Sequence, residues 1–367
     1  MALQLGTTPA LDALTPETAA RARPWAWVGR SRWVTAGLIL FGVFVFIAIF
    51  GSTLAPYDPS AISSAVLQPP SAAHLLGTTQ TGQDVLSQLL VGAASTLEIG
   101  FIAGGIATVL AIVVGVSAGY FAGSGGELLS LLSNIFLVIP GLPLLIVLTS
   151  YVPQASVWVI ALVLAIVGWA WGARVLRAQT LALRQQDFVQ AAKAAGESNF
   201  RIILFEILPN EVAVVATNAV FAVVGAISFY VAIVFLGLGN INTWSWGTML
   251  YYAENNEAIT SGAWWWYVPP GIAVALILLA LVMLNFGIDE FINPRLRAAG
   301  IGRKELRAAS RQQGITPVRA NRPNVTPVAV GTDTVTSGTG TSGRGTSGTG
   351  TSSRVTSRTG TSRRRTR

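Results

Sequence analysis

Residues Asp187–Asn210 read DFVQAAKAAGESNFRIILFEILPN, a polar, mixed-charge interruption in a chain that is otherwise almost continuously apolar. Ala191, Ala192, Ala194 and Ala195 favour a short helix with very small side chains. Gly196 should weaken or end it, because glycine has the largest backbone entropy cost in a helix and tolerates positive φ. Ile202, Ile203, Leu204 and Phe205 return the chain to apolar character. Leu208-Pro209 predicts a boundary: the residue before proline avoids αR geometry, while proline suits the first turn of a new helix. The expected product is a small-surfaced helix on a polar loop between two hydrophobic helices. That shape suits insertion into a partner's groove, although an ordinary helical connector fits the same residues.

Working outward, hydrophobic residues make up 52% of the 367 and charged residues only 11%. A soluble domain of this length needs more surface charge, so the chain is read as a polytopic membrane protein, all-α in class. There is no cysteine, which excludes disulfides, thiolate metal sites and cysteine nucleophiles. One histidine, His74, excludes a multi-histidine metal centre, and it is read as a loop residue rather than a ligand. The net charge of +8 could point to nucleic acid. Its basic residues instead cluster at the chain ends and in the loop above, so no nucleic-acid partner is expected.

Six spans are predicted. Val34–Leu54 is free of charge and long enough to cross a hydrocarbon core of about 30 Å. It is too long for the apolar core of a cleaved signal peptide, and its polar leader is too long as well, so it is taken as a retained span. The others cover Leu97–Phe121, Leu128–Val152, Ala155–Gly172, Glu211–Gly237 and Val268–Ile288. Gly100, Gly104, Gly105, Gly115 and Gly119 should let the second span approach its neighbours closely. Pro140 and Pro143 should bend the third, either as a local kink or as a hinge in a pore wall. The domain plan is an N-terminal segment 1–33, a six-span body 34–297 with its main loop at about 173–210, and a basic tail 298–367. From about Arg311 the tail is Thr/Ser/Gly/Arg low complexity and cannot bury enough apolar surface to fold, so disorder is expected, with its arginines beside anionic lipid.

Several phrases resemble one family. Ala191-Ala192, Gly196 and Ile207-Leu208-Pro209 fall at the spacing of the EAA loop of ATP-binding-cassette (ABC) importer permeases. In Ala55–Thr96, APYDP, PPSAAHLLGT and TGQDVLSQLL are similar to the dipeptide/oligopeptide/nickel permeases, particularly the shorter "C" partner. There the family usually has proline at Leu75, aspartate at Thr79 and arginines at Gln83 and Gln88. FLGLG and SWGTML in Leu238–Tyr267, and NPRLR at Asn293–Arg297, extend the resemblance over roughly Trp33–Arg297. It implies a type I importer fold in which Gln190, Ala191, Ala192, Ala195, Gly196, Ile207, Leu208 and Pro209 couple to the ATPase. Gln190 stands where the motif usually has glutamate. The implied partners are a homologous second permease subunit, two cytoplasmic ABC ATPases that hydrolyse the ATP, and an extracytoplasmic substrate-binding protein. No cofactor is expected in this chain, and the implied cargo is peptide, with nickel or its chelates and other small solutes as alternatives.

Charge orients the spans. The basic N-terminal segment, the EAA loop and the tail fall on one side, whereas Ala55–Thr96 and Leu238–Tyr267 contain no lysine or arginine. The positive-inside rule puts both termini in the cytoplasm of a prokaryotic cell, in a multi-pass inner-membrane protein. The tryptophans and tyrosines of Leu238–Tyr267 are expected to form an interfacial belt. An ion-coupled secondary transporter should carry intramembrane carboxylates; here Glu98, Asp289 and Glu290 lie only near span ends. A GxxxxGK[ST] loop is missing, so the chain does not hydrolyse ATP itself and is not read as an enzyme. A membrane scaffold leaves the EAA block without a purpose. Asn134, Asn218, Ser228 and Asn285 are candidates to line the path, or equally to make interhelical hydrogen bonds worth about 0.6 kcal/mol each.

Overall fold

A computed structural model describes residues 32–151 and 156–292. The expectations for residues 1–31, the ends of the third and fourth spans at Val152 and Ala155, NPRLR and the tail lie outside these residues. The described residues contain ten α-helices and no strand beyond an isolated bridge between Thr78 and Asp84. Five helices are long and apolar enough to cross a membrane, or six when the bent pair Ser124–Val138 and Gly141–Ser150 counts as one span.

Helix α1 (Arg32–Leu54) matches the first predicted span. Helix α2 (Val85–Tyr120) starts twelve residues before the predicted one. Asp84 sets that start, its Oδ2 accepting from the Ser87 amide at 2.8 Å and the Ser87 hydroxyl at 2.7 Å, an N-cap that the charge-poor loop reading overlooked. At 1.5 Å per residue α2 is about 54 Å long, well beyond the hydrocarbon core. The third span is broken into α3 (Ser124–Val138) and α4 (Gly141–Ser150), bent by 88°. Pro140 sits at the break with extended backbone, because its ring and missing N–H forbid continuing the α3 ladder. Helix α5 (Val157–Leu183) runs eleven residues past the predicted end, so the first part of the expected EAA loop is helix.

Four elements follow in that region: α6 (Asp187–Ala194), α7 (Asn199–Arg201), a π-helical turn (Ile202–Ile207) and α8 (Leu208–Phe235). The last three form one continuous helix, Asn199–Phe235. The boundary predicted at Leu208-Pro209 is therefore corrected: Leu208 is αR, with φ −58° and ψ −40°. A π turn ahead of Pro209 explains this. Leu208 N–H bonds back to Ile203 O, five residues earlier, so the helix is widened where a regular turn would push the proline ring against the preceding carbonyl.

Helix α8 ends in a Schellman motif. Gly237, at φ +76°, bonds to Val234 O at 2.9 Å, and Leu238 bonds to Ile233 O at 2.9 Å. The outer loop that follows contains α9 (Trp246–Asn255), opened by a capping box of Ser245 and Thr248. Helix α10 (Trp264–Ile292) is the last span and absorbs Pro269 and Pro270 in its first turns.

Helix α2 packs along α5 and α8, while α1 packs on α2 and α10. Small residues make this possible. A Cβ at Gly104 would lie 2.6 Å from Val223 Cγ2, and one at Gly115 would lie 2.5 Å from Ala173 O. The expected close approach of the second span is thus a property of two interfaces, with α8 and with α5. Trp246 corrects the reading of the outer aromatics as a belt: it is buried against Phe44 at 5.6 Å, its indole donating to Leu89 O at 3.0 Å.

Candidate coupling site and translocation face

Helix α6 carries the alanines. Asp187 in its first turn and Lys193 in its last both oppose the helix dipole favourably. Its one buried side chain is Val189, which joins Tyr120, Leu176, Ile202 and Ile207 in a single apolar cluster. Ala191, Ala194, Ala195 and Gly196 are exposed, and Ala192 is half-buried. The helix is thus pinned by one residue and shows its small side chains outward.

Gly196 closes it. With φ +80°, its N–H bonds to Lys193 O at 3.0 Å, and the Glu197 N–H bonds to Ala192 O at 3.1 Å, a second Schellman motif. Among the described residues, nothing lies within 4 Å of where a Cβ would sit. Glycine is required here by backbone geometry and not by crowding among the described residues. Beyond the turn, Ser198 caps α7, and Glu197 pairs with Arg201 at 2.6 Å.

Two further contacts hold α6 to the bundle, and a third ties α2 to the start of the helix that follows α6. Lys193 Nζ lies 5.0 Å over the Tyr120 ring, and the Tyr120 hydroxyl donates to Asn199 Oδ1 at 2.8 Å. Gln190 Nε2 donates to Arg184 O at 2.8 Å. A carboxylate cannot donate this bond, so glutamine at this position has a local role that glutamate would not fill. Arg184 Nη1 in turn donates to Gly119 O and Tyr120 O at 3.2 and 3.3 Å. Ile207 is fully buried, whereas Leu208 and Pro209 continue into α8.

Sequence reading missed Glu211, which it took only as the start of a span. It is 1% exposed, and Thr180 Oγ1 of α5 donates to its Oε1 at 2.7 Å, while Oε2 has no partner among the described residues. The signal available was a lone carboxylate following Leu208-Pro209 with no basic residue one turn away.

The four candidate path residues are not brought together. Asn218 of α8 lines a cavity of about 200 Å³ between α2, α5 and α8, with Trp169, Phe221 and Phe229 among its walls. Its Nδ2 donates to Val214 O within its own helix at 2.9 Å. Ser228 likewise donates to Val224 O, Asn134 is exposed on α3, and Asn285 is buried in α10 with no partner for its Oδ1 among the described residues. Asn134, Ser228 and Asn285 are not among the walls of that cavity. His74, read as a loop residue, lies 3.0 Å from the buried Asp84 carboxylate and beside the Tyr57 ring. Among the described residues, no group of three or more His, Asp or Glu side chains could hold a metal ion.

The described residues thus form a bundle of membrane-length helices with an exposed, glycine-closed helix at one end. Residues 111–298 match the family described as the binding-protein-dependent transport system inner membrane component, and the chain belongs to it, as a permease subunit of an ABC importer. Residues 26–70 match the N-terminal TM domain of oligopeptide transport permease C. The chain is similar to the oligopeptide transport system permease protein OppC of Lactococcus lactis subsp. cremoris, 30% identical over 70% of this chain and 88% of that protein. It is 32% identical to the dipeptide transport system permease protein DppC of Alkalihalophilus pseudofirmus, over 73% of this chain and 88% of that protein. OppC of Mycobacterium tuberculosis is also 32% identical, over 67% of this chain and 84% of its own length.

Proposed function

We propose that this chain is the permease subunit through which an ABC importer moves short peptides into the cell. The names of its relatives support peptide cargo over nickel chelates. In this reading the body 34–297 pairs with a homologous permease subunit, and the cavity beside Asn218 belongs to the translocation face. Two ATPases bind at α6 and hydrolyse the ATP; an extracytoplasmic binding protein delivers cargo at the opposite end of α2. Both termini and α6 lie in the cytoplasm, as the basic residues of that side favour.

The observation that carries the reading is α6 itself: pinned by Val189, closed by Gly196, with its alanines left outward. An ATPase seated on it moves Val189, and Val189 touches the cluster containing Tyr120 of α2, Leu176 of α5 and Ile207 ahead of α8. Movement at the ATPase therefore reaches the three helices that surround the cavity beside Asn218.

Gly196 tests it. Gly196→Ala meets no atom of the described residues and costs about 1 kcal/mol through its positive φ. Gly196→Asp tolerates that φ no worse but adds bulk and charge at the docking surface. The expected outcome is normal membrane abundance for both, with ATPase co-purification and labelled-dipeptide uptake lost only in Gly196→Asp. Full uptake with the ATPase retained in that variant would sink the coupling role; failure of the wild type to restore dipeptide uptake in a deletion strain would sink the cargo.

A further inference from the structure

Two hollows along α2 share Phe101. One, of about 320 Å³, lies between α1 and α2 and is walled by Val45, Ile49, Ala94, Leu97 and Glu98. The other, of about 340 Å³, is walled by Gly104, Gly105 and Thr108 of α2 with Val220 of α8 and Leu281 of α10. Ala94, Leu97, Phe101, Gly104 and Thr108 recur every three or four residues, so the hollows follow one face of the helix as a single groove. Its walls are apolar except for Thr108, whose hydroxyl donates to Gly104 O at 2.7 Å, and Glu98.

Glu98 is exposed at the head of the groove. The ion pairs among the described residues join His74 to Asp84 and Arg201 to Glu197, so Glu98 has no cationic partner there. The chain has none to offer at this level: no lysine or arginine occurs from Trp33 to Ala173 or from Ile202 to Pro294. A carboxylate beside apolar walls gains most from a cation brought by another molecule.

Depth narrows the choice of that molecule. Tyr120, its ring beneath the Lys193 ammonium, marks the inner end of α2. At 1.5 Å per residue Glu98 lies about 33 Å from Tyr120 along the axis, which matches a hydrocarbon core of about 30 Å. The carboxylate therefore stands at headgroup level on the side remote from α6. From Glu98 the groove runs inward about 15 Å to Thr108, half of that core. It stops there because the next turns of the same face are covered: Val116 is 2% exposed, and Gly115 packs on the Ala173 backbone of α5. A partner helix crossing the membrane would need the groove to continue. A groove one leaflet deep and headed by a carboxylate has the dimensions of a single lipid.

We propose that this groove binds a phospholipid whose headgroup carries a primary ammonium, in the leaflet remote from α6. The ammonium pairs with Glu98, and one acyl chain lies over Phe101 and Gly105 as far as Thr108. The site is separate from the cavity beside Asn218 and does not depend on the nature of the cargo.

The test uses the assembled importer in nanodiscs of phosphatidylglycerol, doped with a phosphatidylethanolamine that carries a diazirine halfway along one acyl chain. Saturable photolabelling is expected on residues 94–108 and 219–223. Dioleoyl-phosphatidylethanolamine should compete about fivefold better than dioleoyl-phosphatidylglycerol, the preference expected of one interfacial ion pair. Glu98→Gln should abolish that preference and keep the labelling. Gly105→Leu, which meets no atom of the described residues, should fill the groove and lower labelling about fivefold at unchanged membrane abundance. Labelling that does not saturate, or a preference that survives Glu98→Gln, overturns the headgroup assignment; labelling unchanged by Gly105→Leu overturns the groove. Absence of labelling in the assembled importer, as a second permease subunit laid over this face would produce, overturns the lipid as occupant.

Discussion

At the scale of single residues, two positions show how chemistry and pattern part company. Gly196 was legible, because an alanine run ending in glycine spells a positive-φ helix end in any context. Gln190 was legible only as a substitution: nothing in the sequence says that its amide reaches Arg184 O. The bond makes a specific demand. Gln190→Glu replaces a donor with an acceptor facing a carbonyl, and at an exposed site the loss is about 1 kcal/mol. Amide hydrogen exchange across 187–196 should therefore speed up about fivefold in Gln190→Glu and by a similar factor in Gln190→Ala. Unchanged exchange in both would mean that Val189 and Lys193 suffice to hold α6. Glu211 offered only the faint signal of a carboxylate with no basic residue one turn away, since its burial depends on which face α5 turns toward it.

At the scale of elements, hydropathy found the five unbroken spans but misjudged most ends. Apolar runs report the stretch in lipid, whereas helices continue into water wherever capping and packing allow. Thus α2 begins at an Asp84 cap and α5 runs on to Leu183, both past the apolar windows. Prolines were harder still. Pro140 breaks the chain by 88°, Pro209 is carried through by a π turn, and Pro269 and Pro270 sit in the first turns of α10. The same residue gives three outcomes because its cost depends on which carbonyl its ring faces. Of the five glycines of α2 expected to be points of close approach, Gly100, Gly104, Gly115 and Gly119 are; Gly105 is not, for nothing among the described residues lies within 4 Å of where its Cβ would sit. Gly115→Leu forces a side chain against the Ala173 backbone, where no rotamer change relieves the clash. Overpacking there should cost about 1–3 kcal/mol and lower membrane abundance, while Gly105→Leu, at a position with open space, should not. Equal abundance of the two variants would show that α2 and α5 can separate without penalty.

At the scale of the whole molecule, charge distribution and architecture agree on two unlike ends. One bears α6, Lys193, Arg184 and Arg201; the other bears the aromatic-rich segment around α9. The proposed orientation, with α6 on the cytoplasmic side, rests on the positive-inside rule. Single cysteines at Ser198 and Ser261, both exposed, should respond differently to an impermeant thiol reagent in intact cells. Position 261 should label and 198 should not; the reverse would turn the molecule over. Ser245, though in the same outer segment, is fully buried as the cap of α9 and could not serve as a reporter.

The π turn at Ile202–Ile207 has a consequence for angular register. A π turn accommodates one residue more than the α-helical turn it replaces, so the stretch ahead of it is rotated by about 100° relative to a straight continuation of α8. Asn199, which receives the Tyr120 hydroxyl, lies on the rotated side, and Ile202 and Ile207 both face the cluster around Val189. Removing a single residue inside this turn would let the helix become regular while leaving α8 seated in the bundle. It would then aim Asn199 away from Tyr120 and turn the end of the coupling segment out of phase with its beginning. The alignment of α6 with the bundle is in this sense a matter of counting: it holds for one number of residues between Gly196 and Pro209 and fails for one fewer.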